Sequence, residues 1–107
     1  MIHLVTATAA RQRQSFGVTF DVLATGPQSM MNKMRYRTDN VIPFHSHPNE
    51  QIGYLLSGRI RVLTRDARVE LNPGDTYAIA ANVEHSIEIL EAAEEVQVFT
   101  PPRESFR

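Results

Sequence analysis

The 107-residue sequence contains no cysteine and a single lysine, Lys33. The absence of cysteine excludes disulfide bonds, thiolate metal sites and a cysteine nucleophile. Ten of the eleven basic residues are arginine, whose planar guanidinium can bind a carboxylate through two parallel hydrogen bonds. This bias has two interpretations that the sequence leaves open: recognition of acidic ligands, or a GC-rich genome and a surface stabilised by ion pairs.

The sequence also lacks an excess of charge of either sign and any long apolar segment. With 11 basic and 12 acidic residues, its formal net charge is −1, which gives no electrostatic attraction to nucleic acid or to an anionic membrane. No apolar run approaches the roughly 18 residues that a membrane span requires, and the N-terminus lacks the pattern of a signal peptide. We therefore expect one cytoplasmic domain over residues 1–107.

Helical periodicity is almost absent, and the chain consists of short alternating segments separated by turn residues. In the segment 29–37, for example, Met30, Met34 and Tyr36 fall on one face of an extended chain. We predict strands at residues 18–24, 29–37, 51–56, 59–64, 68–71, 76–80, 85–90 and 96–100. Short strands at this spacing favour an all-β sandwich or barrel.

Two connections between these strands are predicted from local residue types. The Ser57-Gly58 pair lies between two alternating segments and is typical of the tight turn of a β-hairpin. The acidic stretch 91–95 is predicted to be the loop between the last two strands.

Two of the four histidines form the sequence His45-Ser46-His47. In an extended segment, residues i and i+2 point to the same face, so both imidazoles can hold one metal ion at about 2.0–2.1 Å. Gln51 follows four residues after His47. Pro48 breaks the strand between them, which allows the chain to return the amide toward the same point.

The other two histidines differ in context. His85 lies at the start of the strand that follows the Pro73-Gly74-Asp75 turn, far along the chain from the first pair. A histidine pair, a glutamine at +4 and a distant histidine after such a turn together indicate a metal site. His3 belongs to no such arrangement, and we expect it to be structural or exposed.

These segments resemble the two sequence motifs of the cupins. Residues 39–61, which contain HSHPNEQ, are similar to the first motif, and residues 71–89 (LNPGDTYAIAANVEHSIEI) are similar to the second. The resemblance implies a double-stranded β-helix, or jelly-roll barrel, formed by a single domain. It also implies one divalent metal ion, whose ligands would be His45, His47, Gln51 and His85.

The sequence departs from the cupin pattern at three places. Asp39 replaces a glycine that is often found six residues before the histidine pair, and the segment before His85 lacks two prolines. Gln51 stands where many cupins have His or Glu. Glu50 is the competing ligand, but adjacent strand residues face opposite sides, and the +4 spacing favours Gln51. Such a neutral nitrogen and oxygen set fits Mn, Fe, Co, Ni or Zn without choosing among them.

The C-terminal segment VQVFTPPRESF is similar to that of small cupins that open the ring of unsaturated uronates. Their ending has the pattern Asp-x-Phe-x-x-x-Arg, in which Phe99 and Arg103 match and Gln97 replaces the aspartate. The resemblance implies that Arg103 pairs with a substrate carboxylate and that Phe99 stacks on the sugar ring. Because an amide cannot transfer protons as a carboxylate does, Gln97 either leaves that task to another group or only binds a substrate hydroxyl.

Three functions remain open: a metal-dependent enzyme acting on a small acidic sugar, an iron-dependent dioxygenase, and a non-catalytic module that binds a metal or small ligand. An acid near the metal would distinguish the first function from the third.

We also expect a homodimer, because exposed strand edges are commonly covered by partners. The apolar residues Ile2, Leu4 and 16–23 also exceed what one small barrel needs.

Overall fold

A computed structural model describes all 107 residues and consists of antiparallel β-strands. The strands are β1 (Arg11–Ser15), β2 (Val18–Thr25), β3 (Met30–Tyr36), β4 (Ile42–His45), β5 (Glu50–Leu63), β6 (Arg68–Leu71), β7 (Thr76–Ile79) and β8 (His85–Thr100). A single 3-10 turn at Glu104–Phe106 follows them. No helix has the length and hydrophobicity to cross a membrane. The predicted all-β class is confirmed.

The long strands β5 and β8 organise the barrel, because each is shared by two layers. The first half of β5 pairs with β7 on one side and with the second half of β8 on the other. Beyond β8, this layer continues with β3, β2 and β1 in that order. The second half of β5 pairs with β6 and with the first half of β8, which also pairs with β4. This arrangement is the jelly-roll barrel that the sequence predicts.

The hairpin predicted at Ser57-Gly58 is wrong. Strand β5 continues through these residues, and its register against β8 shifts there as a β-bulge. Gly58 has φ of +77°, and a Cβ at this position would clash with the backbone oxygen of Ala92. The glycine therefore allows β8 to pass close to the bulge instead of reversing the chain.

The loop predicted at residues 91–95 is also wrong, because these residues belong to β8 and pair with β3 and β5. Strands β1 and β4 are additional to the predicted set. Strand β1 has the sequence RQRQS and no apolar alternation, whereas β4 is short and contains a proline. Neither strand therefore carries the pattern from which strands are recognised in sequence.

The apolar core lies between the two layers. Val18, Phe20 and Val22 of β2 are buried in this core. These three residues therefore fill the barrel itself and do not exceed what one barrel needs. Ile2 and Leu4, in contrast, are exposed and precede the first strand. The inward alternation predicted for β3 is observed, since Met30, Met34 and Tyr36 are all buried.

The C-terminal segment closes one end of the barrel. The ring of Phe106 is buried and lies 4.5 Å from the ring of Phe20 and 5.5 Å from that of Phe99, measured between centroids. Pro102 is also buried. This packing holds Arg103, between Pro102 and Phe106, at the barrel mouth.

Candidate metal centre and adjoining pocket

Three histidines converge at this end of the barrel. His45 ends β4 and pairs across the sheet with His85, the first residue of β8. The ring centroids are 4.4 Å apart for His45 and His85, 5.0 Å for His47 and His85, and 5.7 Å for His45 and His47. One ligand atom from each ring lies within 4.8 Å of the others. These three histidines are positioned to bind a metal ion, whereas His3 is exposed and outside the cluster.

The turn before His85 joins the two histidine segments without the prolines that the cupin pattern has there. Asn82 adopts φ of +68°, a left-handed conformation that asparagine tolerates better than most residues. Its backbone N–H donates a hydrogen bond of 2.8 Å to the carbonyl oxygen of His47. Asn82 thus fixes the direction in which the chain enters β8 and presents His85.

Backbone carbonyls orient all three imidazole rings. Nδ1 of His45 lies 2.8 Å from the carbonyl oxygen of Pro43, Nδ1 of His47 lies 2.9 Å from that of Asn49, and Nδ1 of His85 lies 2.8 Å from that of Val83. A carbonyl oxygen can only accept, so each Nδ1 carries the proton. Each Nε2 then keeps its lone pair for a metal, the usual arrangement of a histidine ligand.

Two atoms of the centre have environments that a metal ion would satisfy. His85 Nε2 is buried without a hydrogen-bond partner. His47 Nε2 lies 3.1 Å from Gln51 Oε1, and with the proton on Nδ1 this contact brings two acceptors together. Two ligands at right angles, each about 2.1 Å from one ion, would be separated by about 3 Å. The donor set therefore fits a divalent ion.

The electrostatic environment keeps the histidines neutral. Burial lowers the pKa of all three, and for His47 the neighbouring Arg103 and His85 add to the effect, which brings its pKa to about 4. Because metal ions bind the neutral imidazole, protonation does not compete strongly at neutral pH.

Gln51 is buried and directs its amide oxygen toward the histidines. Its Nε2 donates a 2.9 Å hydrogen bond to the Tyr77 hydroxyl, so Oε1 is the atom that faces His47. Glu50, the competing ligand in the sequence, is exposed on the opposite side of β5. Of these two neighbours, only Gln51 is in reach of the histidine cluster.

A pocket that is partly open to solvent adjoins the histidines. Its polar lining includes His45, His85, Gln51, Gln97 and Arg103. Burial lowers the pKa of Arg103 to about 10, so its guanidinium still carries a positive charge at pH 7. The pocket thus combines neutral ligands for a metal with one fixed cation, an arrangement suited to a small anionic molecule.

The other two residues singled out in the C-terminal segment have different positions. Gln97 lines the pocket. Phe99 is fully buried outside this lining, with its ring edge-on to His47 at 5.5 Å between centroids. It packs between His47 and Phe106, where it supports the metal centre and the C-terminal segment and offers no surface for stacking on a sugar.

Sequence analysis missed Glu95, which belongs to the same group of side chains. The carboxyl is fully buried, and its Oε1 accepts hydrogen bonds from Tyr36 Oη at 2.6 Å and from Gln97 Nε2 at 2.8 Å. Burial raises the pKa of Glu95 to about 7, despite hydrogen bonds that favour the ionised form. The available signal was the alternation of β8, which places residues 95, 97 and 99 on one face. The acidic composition of 91–95 obscured it.

A model of the cupin domain matches residues 32–100 of this sequence. The chain therefore belongs to the cupin-domain family. No curated protein matches the sequence.

Solved structures share the fold over the whole chain. An RmlC-like cupin from Shewanella frigidimarina has a TM-score of 0.89 and 19% identity, covering 100% of this chain and 97% of its own. KdgF from Halomonas sp. has a TM-score of 0.88 and 21% identity, covering 100% of both chains. An oxalate decarboxylase from Lactobacillus farciminis, solved as a formate complex, has a TM-score of 0.79 and 22% identity, covering 95% of this chain and 34% of its own.

Proposed function

We propose that this cupin is a metal-dependent enzyme that opens the ring of a small unsaturated uronate or a related sugar acid. The observation that carries the proposal is the presence of the Arg103 cation and the histidine cluster in one pocket. Arg103 would bind the substrate carboxylate, and His45, His47, His85 and Gln51 would hold the metal. A bound divalent ion would supply positive charge that polarises a substrate oxygen.

The chain's own groups account for binding and for exclusion of water. Arg103 has no carboxylate of its own, because Glu104, the adjacent acid, pairs with Arg107 at 3.1 Å. Apolar side chains, including Ile42, Ile87 and Phe106, form much of the remaining pocket wall. They lower the local dielectric and so strengthen the charge-assisted bond between a guanidinium and a carboxylate.

The test is turnover of 4,5-unsaturated uronate monosaccharides by purified protein, with NMR following conversion of the ring form to the linear keto acid. We expect conversion that stops on chelation and returns when a divalent ion is added. Elemental analysis of protein purified without added metal identifies the ion. Iron together with uptake of O₂ would instead identify a dioxygenase, and metal binding without any turnover would identify a binding module.

The metal centre has its own test. Replacing His47 with alanine removes one ligand and should weaken metal binding by more than about 100-fold, because even changes behind a ligand cost 10- to 100-fold. His3→Ala is the matched control, since His3 is exposed and outside the cluster. Stoichiometric metal in a variant with alanine at His45, His47 and His85 would refute the site.

We also propose that the chain forms a homodimer through the outer face of β5. Ile52, Tyr54 and Leu56 lie on this face and are 44%, 46% and 41% exposed. Val98 of β8 lies beside Ile52, and Met31 of β3 lies beside Val98 in the next strand. An apolar row that crosses three neighbouring strands favours burial against a second copy of the same sheet.

A further inference from the structure

Glu95 differs from the acidic residues that form ion pairs in this chain. Those residues, including Asp21, Glu70 and Glu84, bind arginines at the surface. Glu95 is 0% exposed, and no basic side chain pairs with it. The ring-opening reaction needs a group that takes and returns a proton, and the amide of Gln97 cannot be that group.

We infer that Tyr36 and Glu95 form the proton-transfer pair of the pocket, in which Tyr36 contacts the substrate and Glu95 exchanges protons through it. The inference rests on the proposed function and adds residues to it. Tyr36 and Gln97 line the pocket, whereas Glu95 lies behind them. Tyr36 is thus a catalytic residue, and Glu95 is a positioning residue that acts through it.

The hydrogen bonds around Tyr36 leave room for a substrate. Its hydroxyl donates to Glu95 Oε1 at 2.6 Å and accepts from Gln97 Nε2 at 3.1 Å. A hydroxyl has one proton and two lone pairs, so one lone pair of Tyr36 is left to accept a hydrogen bond from a substrate hydroxyl. Gln97 also donates to Glu95 at 2.8 Å, which fixes both partners in one geometry.

Gly53 leaves room for the buried carboxyl because it has no side chain. Any side chain at Gly53 would place its Cβ against Glu95 Oε2 and the ring of Tyr77. Oε2 makes no hydrogen bond of good geometry, and the nearest donor is the Tyr77 hydroxyl beside it.

The proton balance of the reaction follows from this geometry. The anomeric hydroxyl of the substrate gives its proton to Tyr36 as the original Tyr36 proton moves to Glu95. The bond between C1 and the ring oxygen breaks, its electron pair stays on that oxygen, and C1 becomes a carbonyl. The resulting enolate takes the proton back from Glu95 through Tyr36 at C4, which gives the keto acid without an oxidant or reductant.

The surroundings of Glu95 suit this exchange near neutral pH. The titratable groups that face it are Tyr36 from β3 and Tyr77 from β7, while β5 contributes Gly53 and β8 contributes Gln97. The pKa of Glu95 is about 7, whereas burial and the nearby carboxylate hold the pKa of both tyrosines well above their ordinary value. Tyr36 therefore relays the proton, and Glu95 stores it.

The experiment compares Tyr36→Phe and Glu95→Gln with the matched control Glu94→Gln, which lies at an outward-facing position of β8. We expect kcat on an unsaturated uronate to fall about 100- to 10,000-fold in the first two variants, with metal content and substrate binding retained. Wild-type kcat should rise with pH around the Glu95 pKa of about 7, because the base must be ionised, and Glu95→Gln should lose this rise. Wild-type kcat and an unchanged pH profile in both variants would overturn the inference.

A second measurement separates this inference from the proposed function. If wild-type protein does not act on uronates, the proposed function fails, and the pair is judged by ¹³C NMR titration of side-chain carboxyls in metal-free protein. A signal that titrates near pH 7, is absent from Glu95→Gln and shifts in Tyr36→Phe upholds the pair. A Glu95 signal that titrates near its ordinary value of 4.5 overturns it.

Discussion

Arg103 is a charged side chain held by aromatic rings. Its guanidinium carbon lies 4.0 Å from the ring centroid of Phe106 and 5.4 Å from that of Phe99. Burial is the one cause that changes its pKa, because no carboxylate is close enough to offset the loss of water. A cation that has lost hydration without gaining an ion pair is prepared to bind an anion that brings its own charge.

Replacing Arg103 with alanine should weaken binding of acidic ligands about 10- to 150-fold, since a charge-assisted bond contributes about 1.5–3 kcal/mol. Calorimetry with a uronate and a neutral sugar measures the effect, and only the uronate should be affected. Arg107→Ala is the control, because Arg107 already pairs with Glu104. An equal loss of affinity for both sugars, or no loss for either, would show that Arg103 does not bind the substrate carboxylate.

Glu95 should make stability depend on pH in an identifiable way. Its folded-state pKa is raised from 4.5 to about 7, so the folded protein holds this proton more tightly than the unfolded chain does. Stability therefore falls as pH rises from 4.5 to 7 and is constant above, with a total change of about 3 kcal/mol from this group. Histidines with lowered pKa act in the opposite direction, so a variant is needed to isolate Glu95.

Denaturant unfolding of metal-free wild type and Glu95→Gln across this pH range provides that comparison. The free energy of unfolding of the variant, relative to wild type, should increase by about 3 kcal/mol between pH 4.5 and 7. Glu94→Gln should follow wild type to within about 1 kcal/mol, because its ion pairs with Lys33 and Arg35 are partly exposed. A constant difference between Glu95→Gln and wild type would mean that Glu95 keeps its ordinary pKa.

At the residue scale, local spacing predicts some of the site and tertiary pairing determines the rest. The period of two of an extended chain predicted that His45 and His47 lie together, and they do, although β4 ends at His45. Only the pairing of β4 with β8 brings His85 beside them, and this contact is invisible to local periodicity. Glu95 was missed because a glutamate in an acidic run usually faces water, whereas here β8 directs Glu94 outward and Glu95 inward.

At the scale of elements, sequence patterns identified most strands but divided the two longest. Ser57-Gly58 has the composition of a hairpin turn, and Glu91 to Glu95 has the composition of a loop. Both segments remain extended because β5 and β8 pair with each other along their lengths. The backbone hydrogen bonds of this pairing join residues far apart in sequence, so a local pattern does not reveal them. The irregular segments therefore correspond to a bulge in β5 and to the continuous middle of β8, and neither reverses the chain.

The bulge at Gly58 leads to a paired prediction. Gly58 and Gly74 both have positive φ, of +77° and +93°, so alanine at either position is strained by about 1–2 kcal/mol. A Cβ at Gly58 would also strike the backbone of Ala92 and Ala93, whereas at Gly74 nothing lies within 4 Å. Gly58→Ala should therefore lower the free energy of unfolding by more than about 2 kcal/mol, and Gly74→Ala by less.

Urea unfolding monitored by circular dichroism measures both variants. The two substitutions share the same chemistry and the same type of backbone strain, so the difference between them reports the close approach of β8 to the bulge. Equal destabilisation would show that β8 does not pack against Gly58 in solution.

At the scale of the whole molecule, the outer face of β5 predicts the state of association. We expect light scattering to give twice the chain mass of 12.1 kDa at micromolar concentration. Ile52→Asp, which places a charge in the apolar row, should shift the protein to monomer while leaving its metal content unchanged. Val69→Asp is the control, because Val69 is 51% exposed on β6, outside this row. A wild-type mass of one chain would refute the dimer.

The hydrogen bond from Asn82 to His47 and the pairing of His45 with His85 have a consequence for the life of the protein in a cell. His45 and His47 are close in sequence, but His85 lies far along the chain, so an unfolded chain offers an ion only part of the ligand set. An ion at 100 times its dissociation constant would stabilise the folded state by about 2.7 kcal/mol. The supply of metal would then set not only how much of this protein is loaded but also how much of it survives proteolysis.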